Sequence, residues 1–376
     1  MTNKILIVVG TRPEAIKLAP VFHALKGRPH LTETRVCLTG QHKEMLYQVI
    51  DHFEITPDYD LKLMKSNQTL FELTASLIFN LAPVLEDFMP DLILVQGDTT
   101  TAFVGGLAGY YKKIQVGHVE AGLRTENKFS PFPEEMNRRL AAVLADHHFA
   151  PTERAKEALL KEGVANSNII VTGNTVIDAL LFTLRKVKEN PPVIEELEGI
   201  LGSGRKIVLI TGHRRENFGE GFKDICEAVR ILSMELKDAA FIYPVHMNPN
   251  VQGPVYSLLG ELPNVFLLPP LGYVPFVRLM AAAHIILTDS GGIQEEAPSL
   301  GKPVLVMRDT TERQESVDAG TAVLVGTDKE KIVKEVVRLM TDGAAWETMS
   351  RIKNPFGDGK SAFRIVEYIE NIASSR

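Results

Sequence analysis

Cysteine is scarce. Cys37 and Cys226 are the two in the chain, far apart and each in an apolar-rich segment. That count excludes a disulfide framework or a zinc site, and both are expected as buried, reduced thiols. A strong charge of one sign is also missing, since the net charge is −6. So mild an excess favours solubility and argues against nucleic acid or an acidic membrane as partner, either of which would select a basic face. No apolar run reaches the roughly 18 residues needed to cross a bilayer. No basic segment leads into an apolar stretch ahead of Lys4–Val9, so no secretory leader is expected and the cytoplasm is the expected location. Short-period repeats and low-complexity tracts are lacking too.

What is present is globular: 45% hydrophobic and 23% charged residues in a chain of 376. That length exceeds one ordinary core and predicts two domains. Short apolar runs rich in β-branched residues recur at Ile5–Val9, Leu92–Val95, Ile114–Val119, Ile169–Thr172, Ile207–Thr211, Ala240–Val245, Val265–Leu268, Ile285–Thr288 and Val304–Met307. Each is followed by a turn signal and a helical pattern, which predicts βαβ units with helices on both faces of parallel sheets. The series breaks at Lys186–Arg205, with Pro191, Pro192 and three glycines, and restarts at Lys206. Two doubly wound Rossmann-like domains facing a cleft are therefore expected, with the hinge between residues 172 and 205. Ligands of such sheets bind beyond the carboxyl ends of the strands, so polar residues there are the first candidates.

The first strand ends in Gly10-Thr11-Arg12-Pro13-Glu14-Ala15-Ile16-Lys17. Pro13 suits the first position of a helix, and free N–H groups there, with Arg12 and Lys17, suit a phosphate or a developing anion. The dinucleotide pattern Gly-x-Gly-x-x-Gly is absent. Asp98, in Gly97-Asp98-Thr99, follows another strand and could cap the next helix. Glu120, in His118-Val119-Glu120-Ala121-Gly122-Leu123-Arg124, could pair with Arg124. Glu134 opens a helix after Ser130-Pro131-Phe132-Pro133. Several carboxylates in one water-poor site push their pKa values apart, which separates acid from base.

The second half begins with a strand and then Gly212-His213-Arg214-Arg215-Glu216, a strong anion site whose His213 can carry a proton at neutral pH. His246 ends the following strand. Ser290, Gly291 and Gly292, in Thr288-Asp289-Ser290-Gly291-Gly292-Ile293-Gln294-Glu295-Glu296, stand between a strand and a helix, where backbone N–H groups can approach a phosphate. Glu296 could accept from ribose hydroxyls. Arg308 and Arg313, in Arg308-Asp309-Thr310-Thr311-Glu312-Arg313, add cationic groups. These residues predict a nucleotide-diphosphate site in the second half and acid/base groups in the first, which fits a nucleotide-sugar glycosyltransferase as well as other chemistry.

Together Gly10–Glu14, Gly97–Thr101, His118–Arg124, Gly212–Glu216, Ser290–Pro298, Arg308–Arg313 and the turn Asn354–Gly359 resemble the non-hydrolysing UDP-N-acetylglucosamine 2-epimerases of bacteria, nearly end to end. The resemblance implies the glycosyltransferase-B fold, with residues 1–172 and 361–376 in an N-terminal domain and 173–360 in a C-terminal one. It implies reversible conversion of UDP-N-acetylglucosamine to UDP-N-acetylmannosamine by elimination and re-addition of UDP through a 2-acetamidoglucal, feeding surface-polysaccharide synthesis, with no metal or cofactor. Asp98, Glu120, Glu134 and His213 match the family's catalytic positions. Arg12, Lys17, Ser290, Gly291, Gly292, Glu296 and Arg313 match substrate-binding positions, and Phe276 one that flanks the uracil. A homodimer is implied. In some relatives a second UDP-N-acetylglucosamine acts as allosteric effector, at positions matching Gln41, Glu134, Arg214 and His246. Asn67 and Glu44 stand where some regulated relatives carry Arg and Gln, which counts against that effector here. Gln314 replaces a frequent Pro. A hydrolysing relative, a glycosyltransferase on the same fold and a silent sugar-nucleotide sensor are the rival readings.

Overall fold

The computed structural model describes residues 3–40, 43–65 and 67–374. The chain divides into two compact units: residues up to Ala179 together with those from Phe356, and Leu180–Pro355.

The first unit runs β1 (Asn3–Val9), α1 (Arg12–Lys26), β2 (Thr32–Leu38), α2 (Lys43–His52), β3 (Tyr59–Asp60), α3 (Leu70–Phe88), β4 (Leu92–Gln96), α4 (Thr100–Lys112), β5 (Gln115–Val119), α5 (Glu134–Leu144), β6 (His147–Ala150), α6 (Glu153–Lys161), β7 (Ile169–Val171) and α7 (Thr175–Glu189). Its sheet is parallel, in the order β3-β2-β1-β4-β5-β6-β7. β1 is apolar along most of its length because helices cover both faces, and Ile5 to Val9 are all buried. The chain folds outward from β1 to β3, then returns to β4 on the other side. That reversal leaves a crevice at the carboxyl ends of β1 and β4.

The second unit runs α8 (Glu198–Leu201), β8 (Ile207–Thr211), α9 (Glu220–Glu235), β9 (Ala240–Pro244), α10 (Pro249–Leu259), β10 (Val265–Leu268), α11 (Tyr273–Ala282), β11 (Ile285–Thr288), α12 (Gly291–Glu296), β12 (Val304–Val306), α13 (Gln314–Ala319), β13 (Ala322–Leu324), α14 (Lys329–Thr341) and α15 (Gly343–Ser350). Its parallel sheet, β10-β9-β8-β11-β12-β13, repeats the same plan, with the reversal between β8 and β11. Two apolar layers sandwich this sheet, one gathering α9, α10 and α14 and the other α11.

The division between the units falls inside α7. α16 (Ser361–Ser374) belongs to the first unit and packs on α1. Its first N–H groups, Ser361 and Ala362, donate to Asp178 at 3.2 and 2.9 Å. Arg364 reaches the carbonyl of Thr172 at 3.0 Å. Cys37 and Cys226 are buried free thiols, and burial pushes each up to about 12.

Candidate functional site

In the first unit, Gly10–Arg12 leave β1 and Gly97–Asp98 leave β4, the two strands that flank the reversal. Helix α1 starts at Arg12, so Pro13 takes its second position rather than the first. The buried carboxylate of Glu14 reaches back to this turn. It accepts from the backbone N–H of Gly10 at 3.1 Å and Thr11 at 2.6 Å, and from the Thr99 hydroxyl at 2.7 Å. Glu14 therefore ties the two loops of the crevice together. Burial raises its carboxyl to about 7, against the hydrogen bonds from Thr11, Thr99 and Gly10.

Glu120 follows β5 and is buried at 8% exposure, with φ at +64°. Its carboxylate receives Lys17 Nζ at 2.6 and 2.7 Å and Asn174 Nδ2 at 3.0 Å, together with Gln96 Nε2. The expected pairing with Arg124 is not what forms. Arg124 makes a two-pronged bond to Glu162 at 2.8 and 2.6 Å, because its side chain runs outward to α6 while Glu120 turns inward to α1. Asp98 does not cap α4 either. Thr99 does, accepting from Ala102 N at 3.0 Å, which leaves the Asp98 carboxylate for Arg138. α5 supports that arrangement: Asn137 holds the Asp98 carbonyl at 3.0 Å, and fully buried Glu135 holds Arg138 at 3.3 Å and Arg139 at 3.0 Å. Glu134 is the first residue of α5, and its Oε2 is shielded with no hydrogen-bond partner among the described residues. Arg12 is half-buried and touches Met45 Sδ at 3.6 Å. His118 donates Nε2–H to the Gly97 carbonyl at 2.7 Å and is held down at about 4, chiefly by burial. It is a core residue that braces the Asp98 loop.

In the second unit, His213 and Arg214 follow β8, and Asp289 follows β11, its neighbour. Asp289 is fully buried and accepts from the backbone N–H of both His213 and Arg214 at 2.8 Å. His246 follows β9 and stacks on His213, ring centroids 5.5 Å apart and 23° from parallel. Burial and then the His213 charge lower His246. Ser290 is the N-cap of α12, and Gly291 and Gly292 are its first two residues, so the glycines belong to the helix and not to a preceding loop. A Cβ on Gly291 would lie 3.1 Å from the Arg313 guanidinium carbon, so that glycine is what lets Arg313 lie against the start of α12. Arg313 is held by Glu295 at 2.9 Å. Arg308, expected as a further free cation, is instead consumed by Glu216 at 2.6 Å and Glu312 at 2.7 and 3.1 Å. Glu296 closes α12 near α11: burial first, then the Glu296 charge, push the Tyr273 phenol up. Phe276 lies on α11, half-buried against the apolar layer.

The structure thus groups Lys17 and Glu120, places Asp98 on the neighbouring strand end, and groups His213, Arg214 and His246. Ser290, Gly291 and Arg313 form another group. Gln41 lies outside the described residues, as does the side chain of Glu44. Gln96, Asn174, Arg138, Glu14 and Asp289 carry site geometry that sequence reasoning did not assign. Gln96 had a visible signal, a polar residue closing the apolar strand Leu92–Gln96. Among the described residues no group of three or more His, Cys, Asp or Glu side chains could hold a metal ion. No described helix is long and apolar enough to cross a membrane.

Residues 23–370 match the family model for UDP-N-acetylglucosamine 2-epimerase. The chain is similar to the UDP-N-acetylglucosamine 2-epimerase of Escherichia coli O157:H7, 54% identical over 371 residues and covering 98% of each. Among solved structures it is similar to the Neisseria meningitidis UDP-GlcNAc 2-epimerase bound to UDP-GlcNAc, with TM-score 0.88, 51% identity, and coverage of 98% of this chain and 100% of that one. It is also similar to the Methanocaldococcus jannaschii enzyme in complex with UDP-GlcNAc and UDP, with TM-score 0.80, 36% identity, and coverage of 98% and 99%.

Proposed function

Because the chain belongs to the UDP-N-acetylglucosamine 2-epimerase family, we propose that it is an isomerase that interconverts UDP-N-acetylglucosamine and UDP-N-acetylmannosamine. The observation that carries this is the end-to-end likeness to a Neisseria relative solved with UDP-GlcNAc bound. The clusters at the two strand reversals supply the chemistry. The proton on C2 of the sugar is not next to a carbonyl, so direct removal is costly. Elimination avoids that cost. The C1–O bond breaks with its electron pair leaving on UDP, the C2 proton passes to a base, and a C1=C2 double bond remains in 2-acetamidoglucal. A proton then returns to the other face of C2 and a UDP oxygen rebonds C1.

Arg12, His213, Arg313 and the Ser290–Gly292 backbone are assigned to the diphosphate, where fixed donors stabilise the departing charge. Asp98, Glu120 and Glu134 are assigned to proton transfer. Asp98 and Glu120 are held by cations, whereas Glu134 offers a shielded oxygen without a hydrogen-bond partner among the described residues. That makes Glu134 the carboxylate best placed to exchange a proton. We also assign the working protein as a homodimer formed through α3, α4 and α5. The chemical test is turnover of UDP-N-acetylglucosamine in deuterium oxide, read by proton NMR. UDP-N-acetylmannosamine carrying deuterium at C2 is expected. Product that keeps its C2 proton excludes this route, and release of free UDP with N-acetylmannosamine identifies a hydrolase.

A further inference from the structure

Neither strand end alone explains why His213 is held as it is. β8 and β11 are neighbours in register, Thr211 opposite Thr288, so the residues that leave them meet. Asp289 Oδ2 binds the backbone of His213 and Arg214. Its other oxygen, Oδ1, is buried without a hydrogen bond among the described residues and faces His213 Nδ1 at 3.2 Å, within ion-pair distance. The carboxylate is fully buried, yet the imidazole side chain is 43% exposed. His246 covers one face of the ring. One edge and one face are thereby fixed, and the Nε2 edge makes no hydrogen bond among the described residues.

We propose that Asp289 and His213 form a carboxylate–imidazole pair, in which Asp289 keeps a proton on Nδ1 and presents Nε2 as the working nitrogen. A neutral imidazole carries one N–H, and the partner of one nitrogen decides which tautomer is present. A buried carboxylate opposite Nδ1 takes that N–H as donor, so Nε2 becomes the acceptor. When Nε2 gains a proton, the imidazolium charge is balanced by a carboxylate that is already in place and cannot be reached by water. Asp289 is a positioning residue, and His213 is the group that meets substrate. This rests on the proposed use of His213 at the departing diphosphate. Ser290 follows Asp289 directly, so the turn that fixes the pair also sets the N-cap of α12.

A purely structural Asp289 would be a staple for two backbone N–H groups, a task an asparagine oxygen performs equally well. Asp289→Asn separates the two roles, because its amide places an N–H donor opposite Nδ1 and drives the ring proton to Nε2. The measurement is ring nitrogen shifts in protein labelled with 15N-histidine, with the His213 signals assigned by their loss in His213→Gln. At a pH where the ring is neutral, wild type is expected to show the Nδ1–H tautomer and Asp289→Asn the reverse. kcat should fall about 10²–10⁴-fold with the fold retained by circular dichroism. An Nε2–H tautomer in wild type overturns the pair even if the variant does not fold. So does an unchanged tautomer in a folded variant. Full turnover by His213→Gln removes the functional use of His213 but leaves the tautomer assignment to stand or fall on its own spectrum.

Discussion

Glu120 occupies backbone space that side chains avoid. Its φ of +64° is left-handed, a conformation that costs a non-glycine residue about 1–3 kcal/mol and persists only where the surroundings impose it. Here the surroundings are Lys17, Gln96 and Asn174, drawn from α1, β4 and the turn before α7 onto one carboxylate. Two roles compete for Lys17: the family resemblance implies substrate binding, yet its ammonium sits on Glu120 with 14% of its side chain exposed. Lys17→Met separates them. A positioning role predicts that kcat falls at least about 10-fold while KM stays near its original value, since only a transition-state contact is disturbed. Stability should drop about 1–3 kcal/mol, because a buried carboxylate loses its charged donor and keeps two neutral ones. Steady-state kinetics and urea unfolding decide the matter, and a rise in KM at constant kcat would return Lys17 to substrate binding. None of this was visible locally. Lys17 and Glu120 are 103 residues apart, and the motif offered Arg124 as the nearer partner.

At the scale of elements, α3, α4 and α5 lie side by side and carry large apolar groups outward. Phe71 is 89%, Phe79 76% and Val143 84% exposed, and Tyr110 and Tyr111 stand on the helix between them. Large apolar groups exposed on neighbouring helices are what the proposed dimer interface would cover. Light scattering should therefore return about twice the 41.6 kDa chain mass. Val143→Asp combined with Phe79→Asp should shift it toward the single-chain mass, since each places a charge in a face that must dry on association. A single-chain mass for the unaltered protein would reject the homodimer. The same elements show what the sequence can disclose. Strands buried on both faces read as unbroken apolar runs, so β1, β4, β8 and β11, which flank the two reversals, were all legible. β2, β3, β6 and β13 were not. β2 carries Glu33 and Arg35, β6 begins with His147 and His148, and β3 and β13 span two and three residues. Polar residues near a sheet margin break the run, and a two-residue strand gives none, whereas length does not set β13 apart from β7 and β12, which are equally short and were legible. The crevice motifs were legible for a related reason: a polar cluster directly after an apolar run has no use in a core.

Over the whole molecule, buried titratable groups tie stability to pH. His118, His148 and His284 are each lowered to about 4, with burial the leading cause and nearby cationic groups acting in the same direction: Arg124 and Arg138 on His118, the neighbouring histidines and Arg124 on His148, and Lys206 and Lys302 on His284. An unfolded chain binds protons on these rings near pH 6.5, whereas the folded chain refuses them until about pH 4. Their contribution is complete above pH 6.5 and is lost as pH falls toward 4. Glu14 works in the opposite sense. Its carboxyl keeps a proton up to about 7 when folded and releases it near 4.5 when unfolded, so its contribution is present below 4.5 and lost as pH rises to 7. Between pH 4.5 and 6.5 these three rings, with His246 lowered in the same sense, oppose Glu14 and the carboxyl of Asp178, which burial raises, and the rings set the sign. The urea midpoint should therefore fall steadily as pH is lowered through this window. His118→Asn and His284→Gln should each flatten that slope, the first in the unit that also holds Glu14 and the second in the other. Glu14→Gln should instead steepen it, because an opposing carboxyl is gone. A midpoint flat from pH 6.5 to 4.5 in the unaltered protein would mean that these rings stay accessible to protons in the folded state.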